Sequence, residues 1–264
     1  MSANDTFNIN RFLLLFKQHY IHGNKIMLYS VIAVCGAAFL VLSLVQLENE
    51  TPLPLDTEVF ITVLAGLVSV FGIIFVGHAF PAFRSKETAA SYLTLPASIF
   101  EKYLFELIYR VGATLIVLPV LFWITFHFHG YFFQLFTDLT FEPVNISEIN
   151  KYLSIEIDED SWILLMVTSM SLLAITIPFA GAAHFAKQPM VKTLFTVGIL
   201  VLFFVLLIYF VFVELALENY HPNESMFLIP TNESGAFKFL STVFVATNVF
   251  MLVIAYLKLK EKEV

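Results

Sequence analysis

In a chain whose residues are 59% hydrophobic and 13% charged, side chains able to do chemistry are few and can be weighed singly. His127 and His129 form "HFH". Two positions apart on a helix, they point to different faces, so a shared metal would require non-helical backbone there. His78 and His184 sit near the same ends of two other apolar runs, and packing or interfacial roles suit all four better than metal ligation. The single cysteine, Cys35, lies inside an apolar run, which excludes an intrachain disulfide and a Cys-based metal site. Among charged residues inside apolar runs, Arg110 lies one turn from an end and Glu214 near an opposite end, neither with an obvious partner in an adjacent run. A proton- or sodium-coupled pump is expected to bury an acid near the midplane, and no run carries one.

No catalytic signature is present. The chain has no His-Glu-x-x-His and no Gly-x-Ser-x-Gly. It also has no Gly-x-x-x-x-Gly-Lys-Ser/Thr with which to cradle nucleotide phosphates. The expectation is a protein that is not itself an enzyme, with no catalytic residues, no cofactor, no metal and no nucleic-acid partner.

The elements that must position these residues are apolar runs near 26–47, 59–80, 107–127, 162–185, 194–217 and 239–257. Each is long enough to cross a hydrocarbon core as a helix, and strict period-2 alternation is absent. The expected fold is an all-α polytopic membrane protein of six transmembrane helices in one domain over 1–264, with the lipid bilayer as its solvent. Twelve basic residues (Arg11, Lys17, Lys25, Arg84, Lys86, Lys102, Arg110, Lys187, Lys192, Lys258, Lys260 and Lys262) fall on one side. Only Lys151 and Lys238 fall on the other, which puts both termini in the cytoplasm by the positive-inside rule.

Ahead of the first run, residues 8–22 mix Phe12, Leu13, Leu15, Phe16 and Tyr20 with Arg11, Lys17 and Gln18. This predicts an interfacial helix, apolar face in lipid, with His22-Gly23-Asn24 turning the chain into the first span. The first twenty residues lack the basic start and unbroken apolar piece of a cleavable signal. Gly36, Gly66 and Gly181 stand among small residues where helices are expected to approach closely. Pro119 and Pro178 are expected to kink spans three and four. Sequons at Asn145, Asn223 and Asn232 arise readily by chance in Asn- and Ser-rich loops.

The stretch between spans two and three, "RSKETAASYLTLPASIFEKYLFE", is the polar exception. Ser85 is placed to cap a short helix with Glu87 in its first turn. Pro96 ends that helix by disfavouring helical backbone at Leu95. Ser98-x-x-Glu101 is a capping-box pattern that starts the next helix, which runs on into span three.

At these residues the chain resembles the permease subunits of ABC exporters of the type-2 kind, whose six spans keep both termini inside. Phe83 to Glu106 is similar to the coupling-helix loop of small bacterial permeases, with its Leu-Pro-Ala-Ser stretch followed by Glu-Lys. The resemblance implies a separate cytoplasmic P-loop ATPase gripping the short helix through Lys86, Glu87, Thr88, Tyr92, Pro96 and Glu101. It further implies a second permease subunit, identical or related, and a bacterial cytoplasmic (inner) membrane, while the Phe-rich spans and few buried charges suit export of a hydrophobic or amphiphilic substrate and suit lipid contact equally. One departure stands out: such exporters carry re-entrant outer helices between spans five and six, whereas here the larger outer loop lies between spans three and four. The alternative is a non-transporting scaffold, sensor or accessory subunit docking a protein through outer acidic residues Glu156, Asp158, Glu159 and Asp160.

Overall fold

The computed structural model describes residues 7–47, 56–95, 97–136, 141, 143–149, 161–210 and 233–262. Among them the regular structure is helical, and six helices are long and apolar enough to cross a membrane. The protein is an all-α, multi-pass membrane protein.

Helix α1 runs unbroken from Ile9 to Leu47. At 1.5 Å per residue it is roughly 58 Å long, about twice the hydrocarbon thickness. Its span-like portion is Leu28–Gln46. The turn expected at His22-Gly23-Asn24 is therefore absent, and the segment expected to be a separate interfacial helix is the first part of α1. A mid-helix Gly costs only about 1 kcal/mol, which a long continuous helix tolerates. The early part of α1 also does not give its whole apolar face to lipid. Phe12 and Leu15 turn onto Phe105 and are buried, whereas Leu13 and Leu14 stay exposed.

Helix α2 (Thr57–Gly77) begins at Asp56, whose side chain accepts from the Val59 amide at 3.0 Å. The chain then reverses through Phe80, held left-handed at φ 53°, and a 3-10 turn at Pro81–Arg84. Helix α3 (Lys86–Leu93) follows, and then α4 (Ile99–Glu106). The helix continues without a break through Leu107–Val117, where amides reach back five residues rather than four, as from Leu118 to the Ala113 carbonyl. It ends as α5 (Leu118–Gln134). Pro119 follows directly on the wide turns. A proline ring clashes with the carbonyl four residues back and has no amide to offer, and a locally widened helix relieves both problems. The expected kink is thus expressed as a change of winding.

The remaining spans are α6 (Ser161–His184), α7 (Pro189–Tyr209) and α8 (Glu233–Glu261). Pro178 lies inside α6, which stays helical to His184. Besides the cluster of Phe12, Leu15 and Phe105, two larger buried clusters lie in the bundle. At the end carrying Arg84 and the last turn of α8, Val76, Phe80, Tyr103, Phe179, Ala255 and Leu259 join α2, α4, α6 and α8. Towards the other end Ala38, Leu42, Phe60, Phe122, Phe126 and Val144 join α1, α2 and α5. Gly181 is needed where α6 meets α7, because a Cβ there would run into the Thr193 side chain. Gly36 and Gly66 face open space instead, so the close approach expected at those two positions does not occur.

Polar side chains lock the spans at specific points. Asn248 of α8 accepts from the Thr176 hydroxyl at 2.8 Å and donates to the Ser169 carbonyl at 2.8 Å, both on α6. The Tyr103 hydroxyl donates to the Leu252 carbonyl at 3.1 Å, tying α4 to α8.

Candidate functional site

The polar stretch between α2 and α4 folds as a braced unit at the basic end of the bundle. Ser85 caps α3 as its position predicts, its hydroxyl accepting from the Thr88 amide at 3.2 Å. The Thr88 hydroxyl donates to the Ala82 carbonyl at 2.7 Å, so the first turn of α3 is tied back to the 3-10 turn. The Arg84 guanidinium donates to the His78 carbonyl at 3.2 Å, closing the reversal behind it. At the far end of α3 the Tyr92 ring meets Phe83 edge-on at 5.5 Å, and the Lys102 ammonium lies 5.3 Å from the ring centroid. Lys102 is itself buried. Helix α3 is thus held at both ends, by hydrogen bonds at its start and by Tyr92 at its finish.

Helix α4 begins with the expected capping box. The Ser98 hydroxyl accepts from the Glu101 amide at 3.2 Å, and the Glu101 carboxylate accepts from the Ser98 amide at 2.8 Å. The sequence pattern does not disclose the other partners of that carboxylate. Glu101 also accepts from the Asn8 amide at 2.7 Å and from the Arg11 guanidinium at 3.0 Å, and is 0% exposed. One buried carboxylate therefore joins the start of α1 to the start of α4 across ninety residues of sequence.

Arg110 has partners that the sequence reading does not assign. Its Nε donates to the Glu106 carboxylate at 3.4 Å, and Nη1 donates to the Phe75 carbonyl at 3.3 Å. The guanidinium also lies 4.6 Å from the Phe75 ring centroid. The Glu106–Arg110 pair stands at the i, i+4 spacing and in the favoured order, a signal already present in "EKYLFELIYR". The bond to α2 leaves no such trace.

A small cavity of about 210 Å³ lies behind α3, bordered by Gln18, His19, Ala82, Tyr92, Phe105 and Glu106. The Tyr92 hydroxyl is buried here with no hydrogen-bond partner, and burial, then the nearby Glu106 charge, push its ionisation well above the usual phenol range. It stays a neutral phenol. His19 packs edge-on against Tyr109 at 4.3 Å, and burial together with the Arg110 charge lowers its pKa from the ordinary 6.5.

The six residues singled out by sequence thus separate. Glu87 and Thr88 lie exposed on α3, where a protein can touch them. Tyr92 is half-buried against Phe83, and Glu101 is fully buried, so Glu101 positions the unit from within. Lys86 opens α3, but its side chain lies outside the described residues, as does Pro96. Glu214, Asn223, Asn232 and the acidic residues Glu156, Asp158, Glu159 and Asp160 also lie outside them.

The histidines divert to separate partners. His78 donates to the Ile74 carbonyl at 2.7 Å and His127 to the Trp123 carbonyl at 2.8 Å, each within its own helix. The His184 ring packs on Phe185. His129 instead faces α1, with Nε2 3.1 Å from the Ser43 hydroxyl. That hydroxyl already donates to the Phe39 carbonyl at 2.9 Å, so Nε2 carries the proton and the buried Nδ1 is a bare acceptor. Among the described residues no group of three or more His, Cys, Asp or Glu is placed to hold a metal ion. At the polar end of the bundle, a short helix with exposed Glu87 and Thr88 is tied to the 3-10 turn through Ala82 and Phe83 and to α4 through the contact of Tyr92 with Lys102. No protein-family model, no curated protein and no solved structure matches the chain.

Proposed function

We propose that this chain is the membrane subunit of an ABC transporter, sited in a bacterial cytoplasmic membrane with its basic end inside. A separate P-loop ATPase docks on α3, and ATP is hydrolysed in that partner. The observation that carries the reading is the bracing of α3. A force applied to Glu87 or Thr88 passes through the Ala82 and Phe83 contacts to the end of α2. It passes through Tyr92 and Lys102 to α4, which is continuous with span three. A merely solvated connector needs no such attachments. Two membrane subunits, identical or related, frame the path, and few charges in the spans suit a hydrophobic or amphiphilic substrate.

Affinity purification of the full-length protein from its native membrane in a mild detergent tests the reading. A co-purifying P-loop ATPase is expected, with its recovery reduced about tenfold by Glu87→Arg, a charge reversal on an exposed docking helix worth about 1.4 kcal/mol. Absence of an ATPase from the eluate, or recovery unchanged by Glu87→Arg, overturns it.

A further inference from the structure

A second cavity, of about 310 Å³, lies between α1, α2 and the wide-wound helix that leads into α5. Its walls include Ala33 and Val34 of α1, Ile74 and Phe75 of α2, and Tyr109 and Ala113. All six belong to helices long and apolar enough to cross the membrane. The volume falls in the range of small-molecule sites, which are mainly apolar and often lie between the helices of a bundle. The wide-wound segment Leu107–Val117 forms one wall, and the small side chains of Ala33 and Ala113 leave the gap unfilled.

The chemistry of the walls selects the occupant. The lining is mainly apolar and offers water few partners. Its rim residues Ile74 and Val117 are 43% and 44% exposed, so it opens sideways, and what faces it there is hydrocarbon. Towards the basic side the walls are Ser30, Phe75 and Tyr109, and the Arg110 guanidinium, outside the lining, rests on the Phe75 and Tyr109 rings while His19 packs on Tyr109. A ligand lying in this crevice is therefore apolar along most of its length and polar at the basic end. We propose that it is a binding site for one acyl chain of a phospholipid from the leaflet on the basic side, with the headgroup at the level of His19 and Arg110. The concave wall distinguishes it from ordinary lipid contact, for which the exposed side chains of α7 from Ile199 to Leu207 are an internal reference. This site stands on the crevice alone and does not depend on an ATPase partner.

The test uses the full chain in phospholipid nanodiscs that include a phosphatidylglycerol with a diazirine in mid-chain. After irradiation, adducts are mapped by peptide mass spectrometry. The expected result is labelling concentrated on residues 30–34 and 109–121, about tenfold above 199–207, and cut about tenfold by Ala113→Phe, which fills the crevice. Ala33→Leu serves as a second filling variant should Ala113→Phe fail to elute as a folded species. Labelling as strong on 199–207 as on 109–121, or unchanged in a folded filling variant, overturns the proposal.

Discussion

Glu101 ties three separate backbone and side-chain partners together from a fully buried position. Its two oxygens collect amide hydrogens from Ser98 and Asn8 and the guanidinium of Arg11, with no exposed surface. Replacing one member of a buried, hydrogen-bonded pair leaves the others unsatisfied, which costs more than the pair itself contributes. Glu101→Ala is expected to lower stability by about 3 kcal/mol. Arg11→Ala is expected to cost a comparable amount, because it leaves the fully buried Glu101 carboxylate without its counter-charge. Thermal melts of the detergent-solubilised protein check this, and an Arg11→Ala protein as stable as the unaltered chain would contradict it. The capping box half of this arrangement is legible in Ser98-x-x-Glu101, because it is local. The Asn8 and Arg11 half is not, since nothing in the pattern says which helix start lies beside α4.

At the scale of the element, α6 and α8 show how polar groups select a pairing that apolar faces leave open. Asn248 spends its amide on Thr176, Ser169 and the Phe244 carbonyl, so its donors and acceptor are all used. Interhelical hydrogen bonds in a membrane contribute modestly, about 0.6 kcal/mol on average and up to about 1.7. Asn248→Leu is therefore expected to cost about 1 kcal/mol, and Thr176→Val combined with it to add little more, because the two share one interaction. Unfolding of both variants and the double variant in mixed micelles measures this coupling, and strictly additive losses would count against it. Helix α1 and the α4–α5 helix carry the opposite lesson. Composition places their apolar parts well, yet a break is expected at Gly23 where none occurs, and a kink at Pro119 where the helix widens instead. In both cases the residue sets a local cost that a continuous helix tolerates.

For the molecule as a whole, six crossings put the two ends of the chain on one side of the bilayer, and the Lys and Arg distribution predicts which side. In a Cys35→Ser background, a single cysteine introduced as Glu87→Cys is expected to react with an impermeant maleimide only in inside-out vesicles. Ile146→Cys, 70% exposed near the opposite end, is expected to react only in right-side-out vesicles. The reverse pattern would invert the orientation and with it the proposed docking of an ATPase on α3.

Composition, run length and cap residues by themselves determined the helical class, the six spans, the short helix after Ser85 and the capped start of α4. These are consequences of hydrocarbon thickness and of hydrogen bonds between near neighbours in the chain, which sequence displays directly. Only the tertiary structure decided that Arg110 bonds to α2, that Glu101 holds α1, that Asn248 faces α6 and that a crevice remains beside Ala113. In a span that is apolar all round, hydropathy marks no inward face. The partners of each helix are therefore chosen by a few polar groups and by the shapes of the apolar ones, and neither is visible until the helices are brought together.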